Sequence, residues 1–544
     1  MRQIDLIKLY SLKRCLVVED MPDVRVAVAA MLRIFGVLKI DVVANGEQAI
    51  EACNSNQYQM VLCDYNLGAG RDGQQILEEL RYRNRLNNTS IFVMITAESS
   101  REMVLGALEY QPDDYITKPI TQVLLRQRLD RVVLRHQELY SIKQAMDDKD
   151  YVAAEQRCQD RLDGNTIYRS ACLQIQAEMN LRLSDFNRAE DIYLGVLAER
   201  PVLWAKLGLG KTQVAKKEYE KAEKNLIEVI TADKRVVEAH DLLAESYNKR
   251  GDTIKAQKIM KDAVEISPKS VVRLRRLAAL AKLNEDTESC LEASRLVIKT
   301  ARNSYHESSD DYLALARELT DLTFEEDTVD DLAKETFDVL QRLEKRPVFD
   351  TGAKVQANSL KSRSLVSQKK LVEAEIFLDK AREIYEDKKD YLSADTGFDL
   401  AHALIAKGDR AGADKLLHEL AERFSDNELF LAKLDAMTDT PISKAGCDKV
   451  AKITKNGIDR YEKNEFSEAI GIFRNAIALF PSHIGLNLNL IQAVLSEIKS
   501  SGNQAGFERV CRKSLERVSS IESSNPQYER FIYLSRQVKD VFAD

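Results

Sequence analysis

The sequence predicts an α/β domain with a doubly wound parallel five-stranded sheet, followed by an all-α solenoid. Short apolar runs alternate with helical patterns between residues 14 and 136. This alternation is typical of a parallel sheet that is covered by helices. From residue 147 onward the pattern is helical, and small residues recur about every 34 positions. A recurrence of that length indicates stacked pairs of helices.

Composition places the chain among soluble proteins with about three domains. The 544 residues are 44% hydrophobic and 31% charged, with a net charge of −7 and no basic block. This balance argues against a nucleic-acid partner or an anionic membrane surface. We expect neither membrane insertion nor a signal peptide, because no long apolar run occurs. Eight cysteines without a CxxC pair favour a reducing, cytoplasmic location.

Five apolar runs are the predicted strands of the sheet: residues 15–18, 40–43, 60–64, 91–95 and 114–117. Helical spacing predicts helices over residues 23–35, from 48 onward, 73–85 and 98–109. Thr121 is the predicted N-cap of a fifth helix. No Gly or Pro interrupts residues 129–145, so we expect this helix to continue into the helical region, as an exposed linker or as a rigid lever.

Polar side chains stand where four of the predicted strands end. Glu19 and Asp20 follow the first strand, and Asp64 ends the third. Thr96 follows the fourth strand, and Lys118 follows the fifth. The carboxyl ends of parallel strands share one edge of the sheet, where ligands bind in open α/β folds. We therefore expect three acids, a hydroxyl and an ammonium to lie together.

The chemistry that suits this group is phosphoryl transfer to Asp64. Crowded carboxylates repel one another unless a hard cation lies among them, and Mg²⁺ prefers oxygen ligands. Glu19, Asp20 and Asp64 are the expected ligands, together with a backbone carbonyl near Asn66. Lys118 and the metal would stabilise charge on the phosphoryl oxygens, with Thr96 as a hydroxyl donor.

The order and spacing of Glu19-Asp20, Asp64, Thr96 and Lys118-Pro119 resemble the bacterial response-regulator receiver domain, over about residues 13–135. The resemblance implies that Asp64 accepts phosphate from a sensor histidine kinase or a phosphotransfer protein. It also implies that Thr96 moves on phosphorylation together with Tyr115, which lies three residues before Lys118.

The segment after Asp64 departs from the pattern of that family. Residues 67–73 read LGAGRDG, which is one residue longer than usual and lacks the Met-Pro pair. Because this segment borders the predicted site, we expect its unusual length and sequence to affect the metal affinity and the lifetime of the phosphoryl group. We expect Asp72 in this segment to be a turn residue and not a fourth metal ligand.

The helical region contains a repeated pattern with a small residue in the second helix of each pair. The small residues are Ala154, Ala189, Ala222, Ala256 and Cys290. The pattern blurs after residue 304, returns near residue 371, and has a good copy after residue 457. It resembles tetratricopeptide repeats, eight to nine in number, and this family implies protein binding on a concave helical surface.

The predicted domains have the following boundaries: an N-terminal lead over residues 1–13, a receiver domain over 14–128, a linker helix over 129–146, a tetratricopeptide-repeat array over 147–436, a break over 437–444, and further repeats over 445–544.

The sequence predicts a response regulator whose output is a protein–protein interaction, for example with its own kinase or a sister regulator. We predict no enzymatic output, since the helical region has no P-loop and no GxSxG motif. A DNA-binding transcriptional regulator and a phosphate sink without a gated output are the alternatives. A further alternative is an output enzyme without a recognisable motif. The sequence leaves the oligomeric state open.

Overall fold

The computed structural model describes residues 5–68, 70–97, 112–324, 329–502, 506–519, 521, 523 and 525–542. The chain separates into two compact units, Met1–Asp311 and Tyr312–Asp544. None of the domain boundaries predicted from the sequence lies at this position. The first unit contains a β-sheet and helices, and the described part of the second contains helices without a strand.

The sheet of the first unit has five parallel strands in the order β2-β1-β3-β4-β5. The strands are β1 (Arg14–Val18), β2 (Lys39–Val43), β3 (Met60–Asp64), β4 (Ile91–Thr96) and β5 (Asp114–Thr117). Each neighbouring pair is parallel. The predicted α/β fold is confirmed.

Five described helices belong to this part of the chain: α1 (Leu6–Ser11), α2 (Pro22–Phe35), α3 (Gly46–Ser55), α4 (Gly73–Tyr82) and α5 (Gln122–Asp147). The helix predicted over residues 98–109 lies outside the described residues.

Alternation along the strands divides the apolar side chains between two cores. Met60 and Leu62 of β3 pack with residues of α2 and α5 on one face. Val61 and Cys63 pack with residues of α3 and α4 on the other face. Because successive side chains of a strand point to opposite faces, an unbroken apolar strand requires a sheet that is covered on both sides.

The N-terminal lead contains helix α1, which the sequence pattern does not predict. Tyr10 of this helix is buried in the core beside α2 and α5. Its hydroxyl donates a hydrogen bond to Asp130 at 2.8 Å. The lead is therefore packed against the sheet domain.

Helix α5 runs without interruption for 26 residues, through the segment of the predicted linker helix. Thr121 caps its first turn, and the Thr121 hydroxyl accepts a hydrogen bond from the Leu124 N–H at 3.2 Å. At the other end, Asp147 accepts hydrogen bonds from the backbone N–H groups of Asn88 and Thr89, which precede β4. The carboxyl-terminal end of α5 is thereby tied to the amino ends of the strands.

Helices continue through the rest of the chain. In the first unit they are α6 (Tyr151–Asp163), α7 (Arg169–Arg182), α8 (Phe186–Glu199), α9 (Leu203–Ala215), α10 (Tyr219–Ala232), α11 (Val237–Lys249), α12 (Thr253–Ile266), α13 (Val271–Leu283) and α14 (Thr287–Ala301). Helix α15 (Ser309–Leu322) contains the division between the units.

The second unit continues with α16 (Val329–Glu344), α17 (Thr351–Ser367), α18 (Leu371–Lys388), a short 3₁₀ helix (Lys389–Tyr391), α19 (Ala394–Lys407), α20 (Arg410–Arg423), α21 (Glu428–Met437), α22 (Lys444–Glu462), α23 (Phe466–Leu479), α24 (Ile484–Ser501), α25 (Phe507–Arg517) and α26 (Tyr528–Val541). The predicted break over residues 437–444 falls between α21 and α22. Among the helices of the described ranges, none is long and apolar enough to span a bilayer.

The recurring small residues lie in the packed interior of the helical region. Ala154, Ala189, Ala222 and Ala256 are fully buried. A close approach of two helices occurs at Gly208 of α9, where an added Cβ would overlap the ring of Tyr193 in α8. Small side chains at these positions let helices pack with little separation, which explains why the pattern recurs once per helix pair.

Candidate functional site

The carboxyl ends of β1, β3, β4 and β5 bring the predicted site residues to one edge of the sheet. Strand β3 ends at Asp64, and Asp64 is in register with Ile95 of β4. Thr96 ends β4 in register with Thr117, the residue before Lys118. Glu19 and Asp20 directly follow β1, which pairs with β3.

Three acidic side chains form a cluster at this edge. Glu19, Asp20 and Asp64 each offer an oxygen that lies within 4.8 Å of the others. Asp20 is exposed, whereas the exposed fractions of Glu19 and Asp64 are only 2% and 4%. Two nearly buried carboxylates at such a separation repel each other strongly, so the cluster requires positive charge.

Lys118 supplies a positive charge to the acidic cluster. Its Nζ lies 2.9 Å from Oδ2 of Asp64 and 2.9 Å from Oε2 of Glu19. A cis peptide bond joins Lys118 to Pro119. The Lys118 backbone N–H donates to the carbonyl of Thr96 at 2.6 Å, so the end of β4 positions this lysine.

The pKa shifts show that one lysine does not fully balance the carboxylates. Burial raises the pKa of Asp64 more than Lys118 and the backbone N–H of Asn66 lower it. Burial also raises the pKa of Glu19, against the hydrogen bond from Lys118. Burial lowers the pKa of Lys118, but its hydrogen bonds to Glu19 and Asp64 outweigh burial and raise it overall. The ionised carboxylates would therefore be stabilised by a further cation.

Thr96 lies on β4, the strand next to Asp64, and Tyr115 lies on β5, one strand further along the sheet. Thr96 is buried at the end of β4. Tyr115 lies on β5 in register with Met94, and its half-buried side chain packs against the core that α3 and α4 cover. The Tyr115 carbonyl accepts a hydrogen bond from Arg128 of α5 at 3.0 Å. Tyr115 thus connects the edge strand to α5.

The long segment after Asp64 is held by the start of α4. Asp72 caps this helix by accepting a hydrogen bond from the Gln75 N–H at 2.9 Å, as expected for a turn residue. The Gly73 N–H donates to the Tyr65 carbonyl at 2.8 Å. A Cβ at Gly73 would overlap the backbone oxygen of Asp64, so glycine is required at this close approach.

Lys269, in the loop between α12 and α13, is a neighbour of the site that sequence reasoning missed. Its Nζ lies 3.0 Å from the Tyr65 hydroxyl and 3.3 Å from Oδ2 of Asp72. No local pattern marks this lysine, because 204 residues separate it from Tyr65.

Comparison with known protein families identifies the domain whose sheet carries these residues. Residues 15–130 match the family described as the response regulator receiver domain. The N-terminal domain is a response-regulator receiver domain. The match includes all of the predicted site residues and ends within α5.

Several known proteins are similar to about a quarter of this chain. Chemotaxis protein CheY-3 of Vibrio cholerae serotype O1 is 29% identical over 122 residues, which are 22% of this chain and 92% of the relative. Regulatory protein VanRB of Enterococcus faecalis is 33% identical over 122 residues, which are 22% of this chain and 53% of the relative. Among solved structures, a CheY-like receiver protein from Methanospirillum hungatei is 22% identical, with a TM-score of 0.22 and coverage of 24% of this chain and 98% of that chain.

Proposed function

We propose that this chain is a phosphorylation-dependent response regulator of a two-component system, in which Asp64 is the phosphoacceptor. The observation that carries the proposal is the position of Lys118, whose ammonium is bonded to both Glu19 and Asp64 within the acidic cluster. The receiver-domain match over residues 15–130 supports it. The phosphoryl donor is a sensor histidine kinase or a phosphotransfer protein.

The donor set of the site fits Mg²⁺. Glu19, Asp20 and Asp64 offer three carboxylate oxygens that are close enough to share one cation, and the backbone carbonyl of Asn66 is the fourth proposed ligand. The raised pKa of Asp64 agrees with a site that lacks positive charge. When bound, Mg²⁺ would neutralise negative charge on the transferring phosphoryl group.

The side chains of the chain position and stabilise the transferred group. An oxygen of Asp64 forms a bond to phosphorus while the bond between phosphorus and the donor nitrogen breaks. Lys118 places its ammonium beside this oxygen, and the Thr96 hydroxyl donates a hydrogen bond to the incoming phosphoryl group. Since Tyr115 lies on the strand next to Thr96, we assign it the role of switch residue.

The helical region is the proposed output, and we interpret it as tetratricopeptide repeats that bind a protein. Support comes from the fully buried alanines that recur at 154, 189, 222 and 256, each in the second helix of a predicted pair. Stacked helix pairs present surfaces and do not by themselves supply catalytic groups. The proposed output is therefore binding and not an enzymatic reaction, and the partner is the cognate kinase or a sister regulator.

Phosphorylation with a small-molecule donor tests the role of Asp64. The full chain is incubated with acetyl phosphate, with or without Mg²⁺, and the phosphorylated fraction is measured by mass spectrometry. We expect Mg²⁺-dependent modification of the wild type and none of Asp64→Asn. The matched control is Asp163→Asn, which neutralises an exposed acid near the end of α6. Modification of Asp64→Asn at the wild-type level would refute the assignment.

A binding experiment tests the output. Affinity for the purified cognate kinase is measured with the wild type and with Asp64→Asn, each with and without acetyl phosphate. If phosphorylation of the receiver controls binding by the repeats, acetyl phosphate should change the affinity of the wild type and not that of Asp64→Asn. Equal affinity in all four samples would mean that the receiver does not control the repeats and acts as a phosphate sink.

A further inference from the structure

Helix α4, which begins nine residues after Asp64, contacts the helical region of the same unit. The rings of Tyr82 and Tyr305 are stacked with centroids 4.6 Å apart. Near them, Nε2 of His306 lies 3.8 Å from Oε2 of Glu78. The receiver domain therefore has a side-chain contact with segments that are more than 200 positions away in the sequence.

The contact reaches the phosphoacceptor strand through Lys269. Its ammonium donates to the Tyr65 hydroxyl and pairs with Asp72, and it lies 5.0 Å from the centroid of the Tyr65 ring. Tyr65 is the residue directly after Asp64, and Asp72 caps α4. A single cation from the helical region thus touches both ends of the segment that borders the site.

Tyr65 is well placed to transmit a displacement to Asp64. The residue is almost completely buried, and both of its backbone polar groups are bonded. Its N–H donates to the Ile95 carbonyl at 2.7 Å, and its carbonyl accepts from the Gly73 N–H at 2.8 Å. A shift of the Tyr65 side chain would therefore move the backbone that carries Asp64 and Asn66.

We propose that Lys269 is a positioning residue for phosphoryl binding at Asp64, supplied by the helical region and acting through Tyr65 and Asp72. This inference rests on the proposed role of Asp64 as phosphoacceptor. The sign of the coupling follows from charge. Phosphorylation adds negative charge next to Tyr65, which strengthens the attraction of this edge for the Lys269 ammonium. By reciprocity, the Lys269 contact must favour the phosphorylated state to the same degree.

The coupling is measured as an equilibrium affinity for beryllium fluoride, which stands in for the phosphoryl group. The full chain is titrated in the presence of Mg²⁺, and the apparent Kd is determined by isothermal titration calorimetry. Lys269→Met removes the charge but keeps an unbranched side chain that can pack on the Tyr65 ring. We expect Lys269→Met to weaken the affinity about fivefold, the low end of the range for allosteric coupling, because the lysine is partly exposed.

Lys261 provides a matched control on the preceding helix. Its side chain is 45% exposed against 44% for Lys269, and it pairs with Asp286 of the helical region. Lys261→Met should bind beryllium fluoride like the wild type. The expected difference between the two variants should shrink at high salt, since exposed charges are screened.

The outcomes separate this inference from the proposed function. If the wild type binds no beryllium fluoride and acetyl phosphate does not modify Asp64, the phosphoacceptor assignment fails. If the wild type binds and Lys269→Met binds with the same affinity, Asp64 remains the phosphoacceptor and the role of Lys269 is refuted. Equal weakening in Lys261→Met and Lys269→Met would also refute it, because the loss would then be a general charge effect.

Discussion

Replacing Asp113 by asparagine should destabilise the receiver domain strongly. Asp113 precedes β5 and is nearly buried, with its Oδ1 2.8 Å from Nε2 of His136 and 3.5 Å from Nζ of Lys143. Its Oδ2 accepts a hydrogen bond from the Phe92 N–H at 2.9 Å. Burial raises the pKa of Asp113, but the hydrogen bond to His136 and the charge of Lys143 outweigh burial and hold the pKa well below its usual range.

The magnitude follows from what remains after the substitution. An amide in place of the carboxylate would leave the largely buried Lys143 without its counter-charge, and losing one partner of a buried ion pair costs about 3–5 kcal/mol. The amide oxygen can still accept from Phe92, so part of the hydrogen bonding survives. We therefore expect the free energy of unfolding of the receiver domain to fall by about 2–4 kcal/mol.

The pH dependence of this effect has a defined sign. A carboxyl whose pKa is lowered in the folded state stabilises the fold above its unfolded pKa of about 3.9. That contribution disappears as the pH falls through the lower folded pKa. The difference in the free energy of unfolding between wild type and Asp113→Asn should accordingly be largest at pH 7 and decline in strong acid.

The assay must report on the receiver domain alone, because a chain with two compact units does not unfold as one transition. Urea unfolding meets this requirement when it is monitored by hydrogen exchange in peptides that cover β4. Asp163→Asn serves as the control, and we expect a change below about 0.5 kcal/mol for this surface acid. If Asp113→Asn lowered the free energy of unfolding by less than about 1 kcal/mol, the proposed role of the buried Asp113–Lys143 pair would be refuted.

Two further predictions concern the phosphoacceptor site. Because burial raises the pKa of Asp64, its ionised form costs folding free energy at pH 7, and this cost vanishes below about pH 4. Asp64→Asn should therefore raise the midpoint of the thermal transition that contains the receiver domain by about 2 °C at pH 7 and not at pH 3.5, measured from that transition by calorimetry; an increase of the same size at both pH values would contradict it. Gly73→Ala should lower the free energy of unfolding by about 1–3 kcal/mol and slow phosphorylation, since its Cβ would overlap the Asp64 carbonyl. Gly195→Ala, at an open helical position, should instead stabilise by about 0.5–1 kcal/mol, and a neutral Gly73→Ala would show that α4 can shift.

The parts of the site that sequence could predict are those set by strand order and local pattern. Asp64, Thr96 and Lys118 meet because each ends or follows a parallel strand of the same sheet, and predicting strand ends at one edge requires no knowledge of distant contacts. Asp72 could be interpreted as a turn residue because capping depends on a few neighbouring positions. Local physics therefore accounts for the acidic cluster and its lysine.

The missed features all depend on contacts between distant parts of the chain. Tyr10 of α1 bonds to Asp130, 120 positions later, so nothing in the N-terminal lead itself indicates that it packs on the sheet. Lys269 is one of many lysines in the helical region, and only its packing against Tyr65 distinguishes it. Long-range partners of charged side chains cannot be deduced from periodicity, which reports only the face that is buried.

Contacts that tie the receiver to the rest of its unit lie at both ends of the sheet. Asp147 of α5 binds the backbone before β4, at the amino ends of the strands. Lys269 binds Tyr65 and Asp72 at the carboxyl ends. Release of the receiver as a rigid body would break both sets of contacts, whereas phosphoryl charge acts directly only on the second. Phosphorylation is therefore expected to adjust the contact of α4 with the helical region while α5 keeps the domain in place.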